Sequence, residues 1–179
     1  MQEDELIARL QDPKSRNLAF SVLVDRYQER VYWHIRKMLI DPDETEDATQ
    51  MTFIQVWQNL DTFRNDSKLF TWIYRIATNA ALANIRSKKR RNWLSMDDAG
   101  DVLAQRVDQP GFFSGNEIEK KLFKALLRLP EKQKLVFQMK YFDDMKYEDI
   151  SEVLGTSVGA LKASYHHAVK KLEQYLSLP

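Results

Sequence analysis

Residues Lys146 to His167 read KYEDISEVLGTSVGALKASYHH. Two short helices joined by a tight turn at Gly155 are predicted, with Ile150, Val153, Leu154, Val158 and Leu161 locking the pair into one small core. Such helix-turn-helix units place their second helix in the DNA major groove. That helix is expected to start at Thr156 or Ser157, either of which can cap its exposed amides. Its buried stripe is read as Val158, Leu161, Tyr165, Val169, Leu172 and Leu176, at three- and four-residue spacing. The opposite face then carries Ala160, Lys162, Ala163, His166, His167 and Lys170, small and basic side chains able to approach base edges and phosphates. Any helical hairpin turning at a glycine shares this pattern, so the motif alone leaves both readings open.

Outward from this stretch the chain stays helical. Its 179 residues hold only five glycines and five prolines. A first short helix is expected from Asp4 to Leu10 and a second from about Leu18 to Leu39, with Phe20, Leu23, Val24, Tyr27, Val31 and Ile35 on one face. Asp41-Pro42 opens a third, Asp41 as cap and Pro42 in the first turn, where a missing amide costs nothing. It should run to about Leu60 and bury some combination of Ala48, Met51, Phe53, Ile54 and Trp57. Asp61 to Ser67 is a polar loop, and a fourth helix follows from Leu69 to Arg91. From Ser95 to Asn116 the composition turns acidic and small, apart from Phe112-Phe113. Helices resume at Glu117, break at Pro130 and turn again at Asp143-Asp144. The fold class expected is all-α: two small helical domains, 1–94 and 117–179, joined by a flexible linker over 95–116, the second containing the helix-turn-helix.

Composition narrows the function. Hydrophobic residues make up 44% and charged residues 30%, which suits a soluble globular protein. The net charge of +1 means that any nucleic-acid footprint must be local. Cysteine is absent, which removes disulfides, thiolate zinc sites and thiol catalysis and fits a reducing cytoplasm. The N-terminus, MQEDELIARL, is acidic and amphipathic, unlike a signal peptide, and no apolar run approaches a membrane span. A soluble cytoplasmic protein is expected.

Charge is indeed concentrated locally. Arg86, Lys88, Lys89, Arg90 and Arg91 put five cations in six positions at the end of the fourth helix. They complement the helix dipole and could also neutralise phosphates. The third helix begins with the opposite sign, at Asp41, Asp43, Glu44, Glu46 and Asp47. Acids in a first turn are ordinary stabilisation; five within seven residues suggest a docking face for a basic partner. Around the polar loop, Phe63, Phe70, Trp72 and Tyr74 lie close to Arg64, Lys68 and Arg75, the mixture on which single-stranded DNA stacks. Core spacing assigns Phe70 to the interior and leaves Trp72 and Tyr74 open. Thr71, Arg75, Thr78, Asn79 and Arg86 align as a polar face of the fourth helix that could meet a strand of DNA. Enzymatic readings find little. The three histidines fall in no metal-ligand pattern, and neither a glycine-rich phosphate loop nor a Gly-x-Ser-x-Gly elbow occurs. No catalytic residue, metal or cofactor is expected.

Taken in order, these segments resemble a bacterial extracytoplasmic-function sigma factor of the sigma-70 family. FSVLVDRYQERVYWHIRKML and DETEDATQMTFIQVWQNLDTFRNDSKLFTWIYRIATNAALANIRSKKRR are similar to the family's N-terminal domain. LPEKQKLVFQMKYFDDMKYEDISEVLGTSVGALKASYHHAVKKL is similar to its C-terminal domain, and TFRNDSKLFTWIYRIATN is the most specific portion. The resemblance implies a dissociable subunit of RNA polymerase. Asp47 and Gln50, with Glu44 and Glu46 nearby, would dock on the polymerase clamp helices; Met51 stands where the family usually has Glu, so a less acidic interface is expected. Arg64, Asn65, Asp66, Ser67, Lys68, Arg75, Asn79 and Arg86 would read the minus-ten element as melted non-template strand with one base flipped into a pocket, Arg86 to Arg91 lying near duplex backbone. Lys162, Ala163, His166 and His167 would enter the minus-thirty-five major groove. Ser164 and His167 stand where the family often has Arg, which implies weaker or different upstream recognition. The linker would thread towards the polymerase active-site channel, and an anti-sigma protein would hold the factor silent.

Two other classes remain in view: a stand-alone helix-turn-helix regulator whose N-terminal domain senses a ligand or dimerises, and a nucleic-acid-modifying enzyme. A sigma factor needs core polymerase to act, a repressor shifts duplex DNA alone, and an enzyme turns over substrate without either.

Overall fold

A computed structural model of the chain describes residues 1–92, 104–110 and 115–177. Among these residues every regular element is a helix, joined by turns and loops, and they form two compact units, Met1–Asn84 and Ile85–Pro179.

The first unit is built from α1 (Glu3–Gln11), α2 (Arg16–Leu39), α3 (Pro42–Gln58), a 3₁₀ turn (Leu60–Thr62) and most of α4 (Leu69–Asn92). Leu6, Ile7 and Leu10 of α1 are buried, as are Leu23, Tyr27, Val31 and Ile35 of α2. α2 and α3 are joined by a two-residue reversal. Ile40 takes a left-handed φ of 68°, unusual for a β-branched residue, while its amide donates to Arg36 O and its side chain is fully buried. Asp41 then caps α3, accepting from the Glu44 amide at 3.2 Å, with Pro42 in the first turn.

α3 buries a narrower stripe than its apolar content suggests. Ala48 and Phe53 are inside, but Met51, Ile54 and Trp57 remain 48%, 49% and 39% exposed. The helix points Thr45, Ala48, Thr52 and Val56 inward instead. Both threonine hydroxyls donate to carbonyls four residues back, Asp41 O at 2.6 Å and Ala48 O at 2.7 Å, so they enter the core satisfied.

α4 shows the same surprise. Thr71 and Thr78, aligned with the polar face by sequence, are buried. The Thr78 hydroxyl donates to Tyr74 O at 2.7 Å and lies 2.8 Å from His34 Nε2, itself buried. Trp72 and Tyr74 are core residues; Tyr74 stacks on His34 at 4.4 Å and its hydroxyl donates to Arg30 O. Phe70 is only half-buried, its ring carrying the Arg30 guanidinium 4.0 Å from the centroid.

The second unit contains α5 (Glu117–Leu127), α6 (Glu131–Phe137), a π-helical turn (Gln138–Phe142), α7 (Tyr147–Leu154) and α8 (Val158–Ser177). Asn116 and Glu119 start α5 as a reciprocal capping box, each side chain accepting from the other's amide at 2.9 Å. Phe123, Leu126, Leu135, Val136, Met139, Met145, Ile150, Val153, Leu161 and Leu172 fill the core. In α8 the fully buried positions are Leu161, Ala168 and Leu172, while Val158, Tyr165, Val169 and Leu176 are half-buried. Small Ala168 occupies the centre of the stripe that Val169 was expected to hold, beside a Phe137–Tyr165 stack at 5.7 Å.

The expected boundary at residue 94, much of the acidic linker and Phe112-Phe113 lie outside the described residues. Within that stretch, residues 104–106 form a helical turn, Ala104 and Val107 are buried, and Asp108 pairs with Lys124 Nζ at 2.6 Å.

Candidate nucleic-acid and protein interfaces

α3 presents its charge outward from the first turn. Glu46, Asp47 and Gln50 are exposed on one side, and Glu44 is half-buried beside the cap. Continuing that side by helical spacing leads to Ile54 and Trp57. Phe20, Val24, Phe53, Ile54 and Trp57 line a groove between α2 and α3, with Gln50 and Gln58 also lining it. Trp57 meets Phe20 edge-on at 4.9 Å. The surface is therefore acidic at one end and apolar at the other. Sequence reading found the acid half only, because it assigned the apolar half to the core; the polar partners at Thr45 and Thr52, spaced by seven, were the signal that the core face ran elsewhere.

The loop between the 3₁₀ turn and α4 is pinned at its start. Phe63 is buried and packs on Trp72 at 5.0 Å. Beyond it Arg64, Asn65, Asp66 and Lys68 are exposed and Ser67 is half-buried. Asn65 turns the chain with a φ of 60°, which asparagine tolerates better than most residues. Lys68, just ahead of α4, is exposed; on α4 itself Thr71 and Trp72 of the first turn are buried, while Arg75 and Asn79, four residues apart on one face, are exposed, as are Arg86 and Arg90 further along the helix. The structure thus leaves the loop residues, Arg75 and Asn79 exposed in one unit, puts exposed Arg86 further along α4 beyond that unit, and withdraws Thr71 and Thr78 to the interior. Exposed cations match a phosphate backbone, and an amide such as Asn79 can donate and accept at a base edge.

In the second unit Gly155 ends α7 in the left-handed conformation, φ 63°, its amide donating to Ser151 O at 2.9 Å. Of the two candidate caps for α8, Ser157 fills the role, its Oγ accepting from the Ala160 amide at 3.3 Å. Lys162, Ala163, His166, His167 and Lys170 are all exposed, the histidine rings 6.1 Å apart. Lys162 Nζ also lies 5.8 Å from the Tyr147 ring centre, a contact that links the outer face to α7.

The family model of Sigma-70 region 2 matches residues 23–91, and that of Sigma-70, region 4, matches residues 119–172. The ECF RNA polymerase sigma factor SigW of Bacillus subtilis is 32% identical over 166 residues, covering 88% of this chain and 89% of that protein. The chain belongs to the extracytoplasmic-function sigma factors of the sigma-70 family. The RNA polymerase sigma-H factor of Pseudomonas aeruginosa is a further relative, 30% identical, with 98% of this chain and 94% of that protein covered. Two solved structures share the fold: the sigma factor RpoE bound to the anti-sigma factor NepR from Bartonella quintana (TM-score 0.69, 20% identity, 89% and 97% covered), and CnrH bound to the cytosolic domain of CnrY (TM-score 0.69, 22% identity, 97% and 96% covered).

As a sigma factor the chain directs core RNA polymerase to promoters, and the stand-alone regulator is the disfavoured reading. Sigma factors as a class are non-catalytic initiation factors. The α3 surface and the exposed α4 residues of this sigma factor fall within the region 2 match, and the helix-turn-helix within the region 4 match. No helix among the described residues is long and apolar enough to cross a membrane.

Proposed function

We propose that this sigma factor divides promoter recognition among three surfaces. Glu44, Glu46, Asp47 and Gln50 dock on core polymerase through the acidic front of α3. Arg64, Asn65, Asp66, Ser67 and Lys68, with Arg75, Asn79 and Arg86 of α4, capture the melted minus-ten strand. Lys162, Ala163, His166 and His167 of α8 enter the major groove at the minus-thirty-five element. The observation that carries this reading is that, within one unit, Arg64, Asn65, Asp66 and Lys68 of the loop and Arg75 and Asn79 of the helix that follows it are all exposed. Arg75 and Arg86 can follow a strand by its phosphates while the loop receives an unstacked base. Two weak sites tethered on one chain gain by effective concentration once polymerase holds them in register. The domains of this reading are 1–94 and 117–179, with the linker between them passing towards the polymerase channel.

The factor acts without enzymatic activity of its own, in the cytoplasm where polymerase works, and an anti-sigma protein restrains it. The solved relatives held by anti-sigma partners, NepR in one case, support that last assignment. Transcription by core polymerase from a promoter library, with and without the chain, tests the whole. Asn79→Ala and Arg64→Ala should impair promoter opening more than initial association; equal loss in both steps would make these residues structural.

A further inference from the structure

Arg16, ahead of the region 2 match, joins two elements that are far apart in sequence. Its Nη2 meets Asp61 Oδ1 at 2.6 Å, and its Nε donates to Leu10 O at 2.8 Å. The guanidinium is thus held by two acceptors at once, one at the end of α1 and one in the 3₁₀ turn, and the Arg16 side chain is only 22% exposed. α1 is itself firmly seated through Leu6, Ile7 and Leu10, and it touches the 3₁₀ turn directly. Tyr27 of α2 donates to Glu3 Oε2 at 3.2 Å, and Arg26 donates to Met1 O at 2.6 Å, which tie the far end of α1 down as well.

What Asp61 controls lies immediately downstream. Thr62 Oγ1 donates to Asn59 O and the Phe63 amide to Leu60 O, so the turn is a tight unit. Phe63 is then buried against Trp72, and Arg64, Asn65 and Asp66 project from it into solvent. Between Arg16 and Phe63 the backbone entering the loop is held at two points, one electrostatic and one apolar. We propose that Arg16 is a positioning residue for strand capture, fixing through Asp61 the direction in which the 64–68 loop leaves the helical core. The inference rests on the reading of that loop as the strand-capturing element. A pre-aimed loop binds without first losing conformational freedom, so loosening the clasp raises the ordering cost of binding without removing any contact to DNA.

Full-length Arg16→Ala, Asp61→Ala and the double variant, each assembled with core polymerase, should be compared for binding to a single-stranded oligonucleotide. The probe is the non-template minus-ten strand of a promoter selected from a library by the unaltered holoenzyme. Asp61 is 76% exposed, so the pair is a weak one and the expected loss is about two- to five-fold. The double variant should be no worse than either single one, and the preference for the selected strand over one altered at its flipped base should shrink. Affinity for core polymerase should stay unchanged. Arg64→Ala serves as the control. If Arg64→Ala weakens strand binding while Arg16→Ala does not, the positioning role is overturned and the loop reading stands. If neither substitution matters, the loop reading itself fails. If Arg16→Ala lowers core affinity and strand binding together while base preference is kept, the clasp is merely structural and the proposal is overturned.

Discussion

Replacing Thr78 with valine removes one oxygen from the interior of the first unit and almost nothing else. Thr78 and His34 are each 1% exposed. The Thr78 hydroxyl has a single proton, and it goes to Tyr74 O at 2.7 Å. Toward His34, 2.8 Å away, the same oxygen can therefore only accept, which puts the proton on His34 Nε2. Valine keeps the shape and strands that N–H in an apolar setting. A buried donor left without its acceptor costs about 1–3 kcal/mol, and in a domain of this size each kcal/mol is roughly 4–8 °C of melting temperature. A loss near 2 kcal/mol would thus lower the melting point of the first unit by about 8–16 °C. Three of the four tryptophans, Trp33, Trp57 and Trp72, belong to that unit, so thermal unfolding followed by tryptophan emission reports it directly. His34→Leu combined with Thr78→Val removes both partners and should recover most of the loss. A Thr78→Val protein that melts like the unaltered one while failing to open promoters would refute this reasoning, since it would place Thr78 on the strand-binding face.

Gly155→Ala should destabilise the second unit by about 1–2 kcal/mol, the cost of a left-handed φ for a residue with a Cβ; an added Cβ meets nothing within 4 Å, so the whole effect is conformational, and Gly155→Asn should cost less in a denaturant titration. Leu161→Ala empties a fully buried position at the centre of the helix-turn-helix and should cost about 3 kcal/mol, seen as an earlier calorimetric transition of the second unit with the first unchanged. Glu46→Lys with Asp47→Lys alters two exposed side chains, so melting should move by less than about 0.5 kcal/mol-equivalent. Affinity for core polymerase should nevertheless fall several-fold in a pull-down, and an unchanged value would count against docking through α3.

Much of this molecule was legible in one dimension. Helices announce themselves by periodicity and by local chemistry that needs no tertiary partner: Asp41-Pro42 opening α3, Gly155 closing α7, and Thr156 or Ser157 starting α8, where Ser157 proves to be the cap. Charge is equally local, so the acids of α3, the cations of α4 and the basic outer face of α8 were readable from the sequence: all but half-buried Glu44 of the acids assigned to docking are exposed, and of the α4 cations Arg86, Arg90 and Arg91 are exposed while Lys88 and Lys89 are half-buried. Order along the chain carried the resemblance to sigma factors, which the family matches bear out.

The tertiary structure decided which of several apolar faces became the core. In α3 apolar side chains wrap most of the helix, and only packing against α2 sent Thr45 and Thr52 inward and left Ile54 and Trp57 on the rim of a groove. Thr78 was read as part of a polar face, yet a threonine hydroxyl can enter a core when it is satisfied by its own backbone, as at Thr52, or also by a distant side chain, as at Thr78 with His34 forty-four residues away. The Arg16–Asp61 clasp spans forty-five residues and has no signature in either segment. Periodicity says how a helix is divided into faces, while the choice of the buried face depends on the volume and hydrogen bonds its neighbours offer, and those exist only once the chain has folded.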